Sequence, residues 1–242
     1  MRKKRINNNK AGFPSFVMKE GGFILNFNKQ IYDLFKMQQF SNPLEEARQI
    51  VAPLCMNSLN DLIINCNDCK TMSEHKNIAY GNPNANIMII DDVATNNQEV
   101  KDYFNVLIEA SGIDKNDLFI INSVSCVCQR KVKGELVDRL PSKEETNSCK
   151  ASLNYAIQFV RPRIIVSMGA TALNMFHNDM SLLSVKNSIL YFNGIRTIVS
   201  YSVKDIFDLS RYQSEEESQL TANEVLNNLI QAKEYIDSIR SK

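Results

Sequence analysis

Short apolar runs that alternate with amphipathic stretches constrain this chain more than any other feature. In NANIMII, residues 84–90, four consecutive apolar side chains, Ile87 to Ile90, lead straight into two acids, Asp91 and Asp92. Such a run is too short for a buried helix and too continuous for a strand with one wet face, so it reads as a strand covered on both sides. EVKDYFNVLIEASG follows with helical spacing and ends at Gly112, and DLFIINSV is a second strand. SKEETNSCKASLNYAIQFV opens on Ser142 with acids in the next turn, a capping-box pattern, and runs in helical period to a third strand, RPRIIVSMG. ATALNMFH is a helix entered directly from that strand, GIRTIVSYS is a fourth strand, and TANEVLNNLIQAKEYIDSI closes as a helix. Strands alternating with helices predict an α/β domain with a central, mostly parallel four-stranded sheet between helical layers. Acids at the carboxyl end of a buried strand begin a solvated loop or belong to a site, because open α/β sheets gather ligands at that edge.

Residues 1 to about 45 read as an amino-terminal extension, basic and Asn-rich at first and then apolar in patches around GGFILNFNKQIYDLFKM, with a break at Asn42-Pro43. The main domain is expected over residues 46–242. Its entry, NPLEEARQIVAPL and NSLNDLIINC, reads as two helices, with Ser58 as N-cap of the second. The run SEEESQ reads as a solvated stretch. With 44% hydrophobic and 23% charged residues, the composition is that of a globular protein. A net charge of +1 means that any affinity for nucleic acid comes from local patches. No apolar run approaches the length of a membrane span and no signal core follows MRKKRINNNK, so a cytoplasmic protein without a membrane partner is expected. Absence of Trp beside abundant Asn and Lys points to an AT-rich bacterial or phage genome, which for a phage places the protein in the host cytoplasm.

Six cysteines in a reducing compartment are free thiols or metal ligands before they are disulfides. Cys66 and Cys69 form a C-x-x-C before the sheet, Cys126 and Cys128 follow the second strand, and Cys149 lies in the helix after a long basic loop. A lone C-x-x-C is compatible with two half-buried thiols at a helix end. Further cysteines beside neighbouring elements add the alternative of a thiolate site for zinc or an iron-sulfur cluster, between which spacing does not choose. Cys55, and Cys128 if Cys126 is the ligand, are left over and read as ordinary core or surface thiols.

The order of these motifs is itself informative. C-x-x-C, YGNPNANIMII, SGIDKNDLFIINSVSC, PSKEETNSC and RPRIIVSMGATAL together resemble the iron-sulfur uracil-DNA glycosylases, family 4 of the wider uracil-DNA glycosylase fold, over roughly residues 58 to 210. The resemblance implies a three-layer fold and a structural [4Fe-4S] cluster on Cys66, Cys69, Cys126 and Cys149. It departs from the family in the 22 residues between the last two cysteines, 127 through 148, where QRKVKGELVDR is surplus and reads as an inserted hairpin or loop.

The catalytic positions depart further. Where the family carries Gly-Glu-Ala-Pro-Gly, this chain has Asp91, Asp92, Val93, Ala94 and Thr95; Asp92 falls on the Glu that contacts base and water, while both glycines and the proline are replaced. The family's aromatic stacking segment is missing, leaving Tyr103 or Phe104 as replacement rings or as core. Asn122 stands where the family's Asn reads the edge of uracil, and an Asn is also a common strand-end residue. The family's Tyr-His-Pro is here Tyr201, Ser202 and Val203, so a hydroxyl replaces the imidazole that stabilises the departing anion. Loss of such a donor costs roughly a hundredfold to a thousandfold in rate. The two histidines, His75 and His177, lie elsewhere.

Phosphate contacts are expected from Arg130, Lys131, Lys133 and Arg139 in the inserted segment and from Lys204 and Arg211 near the family's wedge loop, with Arg2, Lys3, Lys4 and Arg5 as a possible arm. The combined expectation is a DNA-binding, glycosylase-like protein with a structural cluster and little or no uracil excision, serving DNA replication, repair or a phage together with replication or repair proteins. Two alternatives stand beside it. One is a divergent active uracil-DNA glycosylase using Asp92, Asn122 and Ser202; the other is a protein-interaction domain with zinc or no metal.

Overall fold

The computed structural model describes residues 43–69 and 75–241. Most of the expected amino-terminal extension, including Arg2, Lys3, Lys4 and Arg5, lies outside the described residues. Leu44–Lys242 form one compact unit. Along it run α1 (Pro43–Ile64), β1 (Tyr80–Gly81), β2 (Ile87–Val93), α2 (Gln98–Ser111), β3 (Leu118–Val124), β4 (Gln129–Val132), β5 (Glu135–Asp138) and α3 (Lys143–Val160). Then come β6 (Ile164–Met168), α4 (Ala170–Phe176), α5 (Leu182–Val185), β7 (Ile189–Phe192), β8 (Ile195–Ser200), α6 (Val203–Tyr212) and α7 (Glu215–Arg240).

The main sheet has six strands in the order β1-β3-β2-β6-β8-β7. The four expected strands are its parallel centre, β3-β2-β6-β8. Short antiparallel strands, β1 on β3 and β7 on β8, extend both edges and add two strands to the expected four. Ile87, Met88, Ile89 and Ile90 are at most 2% exposed, as a strand between two helical layers must be. Their alternation divides them: Ile87 and Ile89 pack toward α2, α6 and α7, whereas Met88 and Ile90 pack toward α1, α3 and α4.

Local signals set most helix ends. Asn97 caps α2 by accepting from the Glu99 and Val100 amides at 2.9 and 3.4 Å, and Gly112 ends it in the left-handed region at φ 68°. Ser142 and Glu145 form the expected capping box at the start of α3. Two expectations at the entry are corrected, and the solvated SEEESQ run, whose three acids are exposed, is in addition a helix start. The two entry helices are one 22-residue helix that carries Pro53 inside it, and the Ser58 hydroxyl donates to the Leu54 carbonyl within that helix instead of capping a new one. SEEESQ opens α7, where Ser214 caps the Glu217 amide and three acids occupy the positive end of the helix. A helix, α6, also fills the gap before it.

The surplus segment is a two-stranded hairpin, turned by Lys133 and Gly134 at φ 52° and 94° as a two-residue turn of this hand requires. Its base is fixed by Arg139, whose guanidinium grips both oxygens of the buried Glu145 carboxylate at 2.7 Å each. Those bonds outweigh burial and, with the Ser142 amide, hold Glu145 down at about 2. The resulting stabilisation is present above the ordinary glutamate range and lost as pH falls from about 4.5 toward about 2. Arg139→Ala strands a buried carboxylate; chemical denaturation at neutral pH should show a loss of about 3 kcal/mol, and the acid-dependent part of the wild-type stability over that window should shrink.

Candidate functional site

The loops that follow β2 and β6 leave toward opposite faces of the sheet, α2 to one and α4 to the other, which makes the carboxyl edge here a crevice. A cavity of about 430 Å³ opens at this edge, walled by Tyr80, Asp91, Thr95, Phe104, Asn122 and Val203 among others. Strand register pairs Asp91 with Asn122, so their side chains are neighbours. The Asn122 amide nitrogen lies 3.4 Å from Asp91 Oδ2 and 3.5 Å from the Asp92 carbonyl oxygen, both long contacts. Asp91 Oδ1 is buried and has no hydrogen-bond partner. Burial pushes the Asp91 carboxyl up to about 7 against the Asp92 amide; the charges of Asp92 and Asp205 add to the rise and Asn122 opposes it. Burial, with Asp91 adding, likewise raises the Tyr80 phenol to about 12.

Asp92 turns away from this pair. Its Oδ1 accepts from the Thr171 amide at 2.9 Å, at the start of α4. Gly169 makes the approach possible, since a Cβ there would stand 2.6 Å from Asp92 Cγ and the residue has φ 90°. Burial raises Asp92 to about 6 in spite of its bonds to Thr171. Ser202 is buried as the N-cap of α6. Its hydroxyl donates to Asp205 Oδ2 at 2.9 Å and accepts from the Asp205 amide at 3.2 Å. Asp92 and Ser202, the two residues that the resemblance places at catalytic positions, are therefore engaged in holding helix starts. Of the two candidate rings, Tyr103 packs edge-on against Phe207 at 5.7 Å, while Phe104, buried, reaches the cavity wall. The half-exposed Tyr80 on the short edge strand carries no sequence signal of a site, whereas Asp91 and Asp92 are both marked by their place at the end of a buried strand, and the structure sets only Asp91 at the cavity. Asp91 stands where the resemblance has a glycine, and a two-residue strand has no periodicity to read. His177 caps the end of α4 with its Nε2 buried and unpartnered.

The six cysteines form no disulfide. Cys66, Cys69 and Cys126 each lie within electrostatic reach of Cys149. Burial pushes the Cys149 thiol up to about 11 against a bond from the Ser125 backbone, and Cys126, Cys66 and Cys69 each push it further. Lys76 ties this region together: its ammonium donates to the carbonyls of Ile64 and Cys66 at 2.8 and 2.7 Å, and its backbone bridges that of Cys126. Among the described residues no group of three His, Cys, Asp or Glu side chains is arranged to hold a metal ion. Cys128 and Cys55 are buried; Cys128 is raised to about 12, chiefly by burial.

The basic candidates are dispersed. Arg130 and Lys131 are exposed neighbours on one strand of the hairpin and so occupy its opposite faces; Lys133 is in its turn. Lys204 is paired with Asp138 at 3.1 Å, which pins the hairpin to α6. That pairing and Gln129 overcome burial to hold Asp138 below the usual carboxylate range. Arg211 is exposed in the last turn of α6, and Arg139 is bound to Glu145 as described.

Residues 78–227 match the model of the uracil DNA glycosylase superfamily. Curated relatives are type-4 uracil-DNA glycosylases. That of Saccharolobus solfataricus is 26% identical over 134 residues, 50% of this chain and 59% of the relative. That of Thermotoga maritima is 32% identical over 98 residues, 39% of this chain and 47% of the relative. A third, from Sulfurisphaera tokodaii, is 22% identical over 169 residues, 65% and 73% of the two chains. The chain thus spans about half to three fifths of the length of the first two relatives. No helix among the described residues is long and apolar enough to cross a membrane.

Raised carboxyl pKa values bear on stability with a definite sign. Asp91 and Asp92 hold protons more tightly folded than unfolded, so their contribution is complete below about 3.8 and is lost as pH rises toward about 6 to 7. The melting temperature should fall between pH 5 and pH 8. Asp91→Asn should flatten that decline, and an unchanged slope in the variant would remove Asp91 as its source.

Proposed function

We propose, because this chain belongs to the uracil DNA glycosylase superfamily, that it binds DNA as a type-4-like member which holds a displaced base but lacks efficient uracil excision, acting beside replication or repair proteins in a bacterial or phage setting. One observation carries the second half of this reading. The carboxylate and hydroxyl at the catalytic positions, Asp92 and Ser202, are spent on the starts of α4 and α6. Excision needs a positioned water and a donor for the leaving anion, and only groups aimed at those charges accelerate it. Asp92 is tied to the Thr171 amide, and the Ser202 proton is directed at Asp205. Asn122 remains at the cavity to meet a base.

Phosphate contacts fall to Arg130, Lys131, Lys133 and Arg211, with Lys204 available if its pair with Asp138 opens. Their spread over both faces of the hairpin and over α6 suits a backbone-tracking interaction, and affinity should fall steeply with salt. The cysteines Cys66, Cys69, Cys126 and Cys149 fit a [4Fe-4S] cluster in donor type and neighbourhood. A set of sulfur donors, three of them within electrostatic reach of the fourth, suits a thiolate-preferring metal, iron or zinc. A cluster there would supply a rigid pin between the end of α1, the end of β3 and the middle of α3.

Single-turnover assays on single- and double-stranded uracil DNA should give no excision, or rates several orders of magnitude below an intact glycosylase. Robust excision that disappears in Asp92→Ala and Asn122→Ala would establish the divergent-enzyme alternative instead. Anaerobically purified protein should absorb broadly in the visible range and carry about four irons per chain, bleached by substitution of Cys66 or Cys69 and unaffected at Cys55. A folded, iron-free, zinc-loaded protein would replace the cluster with zinc.

A further inference from the structure

The Asp91 carboxyl lines the cavity and serves none of the roles above. A carboxylate has room for several donors, yet Asp91 meets the amide of Asp92 on its own strand and a long contact from Asn122 on Oδ2, and its Oδ1 makes no hydrogen bond. The acceptor surroundings of Asn122 also orient it. Its amide nitrogen faces Asp91 Oδ2 and the Asp92 carbonyl, so the group left to meet a ligand is its carbonyl oxygen. The polar floor of the cavity therefore offers acceptors, the Asp91 carboxyl and the Asn122 oxygen, with the Phe104 ring and the half-exposed Tyr80 as apolar walls. Uracil and thymine present carbonyl oxygens on either side of a single N–H. Cytosine and adenine present an exocyclic amino group, and a carboxylate accepts from such a group directly. We propose that Asp91 makes this pocket selective for a displaced base bearing an exocyclic amino group, and selective against uracil. The inference rests on the reading of the cavity as a base-binding pocket.

The charge that makes the selection is set by what faces Asp91: Asp92 on its own strand, Asn122 on β3, Asp205 on α6 and Tyr80 on β1, with Lys76 and Lys101 farther along the cavity wall. The Lys76 ammonium is already held by two backbone carbonyls, so it does not neutralise the carboxyl. Asp91 titrates near neutrality under these influences. Once protonated it donates and can meet a uracil oxygen, so discrimination belongs to the ionised form and weakens as pH falls.

The test is equilibrium binding of the full-length protein to duplexes with a single cytosine, adenine, uracil or thymine opposite an abasic position, read by fluorescence anisotropy at pH 8 and pH 6. Cytosine and adenine should bind about tenfold more tightly than uracil and thymine at pH 8, the value of one hydrogen bond to a charged acceptor. The preference should shrink at pH 6 and vanish in Asp91→Asn, which keeps the size of the side chain and whose fold is checked by its melting curve. Equal binding of all four duplexes, with salt-sensitive affinity intact, overturns the selectivity and leaves DNA binding standing. A preference for uracil, or a preference unchanged in Asp91→Asn, overturns it too. Absence of binding to every duplex overturns the base-pocket reading itself.

Discussion

A strand paired on both sides and covered on both faces can hold charged side chains only where it emerges, and β2 is such a strand. Ile87 to Ile90 are shut from water, Ile87 and Ile89 under one helical layer and Met88 and Ile90 under the other. The next residue, Asp91, is the first that can carry charge, and parallel pairing with β3 sets Asn122 beside it. One residue of register slip would turn every side chain of β2 to the opposite face and bury a carboxylate among α1, α3 and α4. Continuous burial therefore fixes the position of the site, and the same continuity makes the site expensive to charge, since Asp91 and Asp92 stand where water is already scarce.

Polar groups at this edge have two kinds of employment. A helix that begins directly at a strand end presents amides without partners, and any short acceptor nearby is drawn to them. Asp92 satisfies Thr171 at α4, Ser202 satisfies Asp205 at α6, and Ser142 does the same for Glu145 at α3. Asp91 is one residue out of step with α4 and remains over the cavity. The difference between a capping acid and a pocket acid is thus the alternation of a strand, which sends adjacent side chains in opposite directions.

How far this was readable beforehand depends on whether a signal is local. The four parallel strands and the box at Ser142 follow from runs and spacings confined to a few residues. The short edges β1 and β7 do not, because they exist by pairing with β3 and β8 and carry little pattern of their own. Pro53 and Ser58 mark a break in an isolated segment, yet α1 continues through them, packed by Leu59 and Ile63 against the sheet. At the site, motif order singles out Asn122, which the structure sets at the cavity, and four cysteines, three of which it sets near Cys149. Ser202 and Asp92 align with catalytic positions, but an alignment does not reveal that a helix start has claimed their oxygens. Asp91 and Asp92 are both legible as strand-end acids, but the sequence does not say which of the two neighbours caps a helix and which lines the cavity beside Asn122.

The thiols and the cavity share a strand. Asn122 is on β3, Ser125 and Cys126 follow its end, and the bridge from Cys126 to Lys76 reaches the carbonyls of Ile64 and Cys66. On the other side Cys149 is one helical turn beyond Glu145, which Arg139 clamps to the base of the hairpin. Any ion that drew the four sulfurs together would therefore act beyond the end of the strand that sets Asn122 at the cavity, and would stiffen the hairpin that carries Arg130, Lys131 and Lys133. Coupling of this kind needs no redox step. It follows from covalent continuity along β3 and from two charge-assisted clamps, so pocket geometry and the exposed cations are held by the same few contacts.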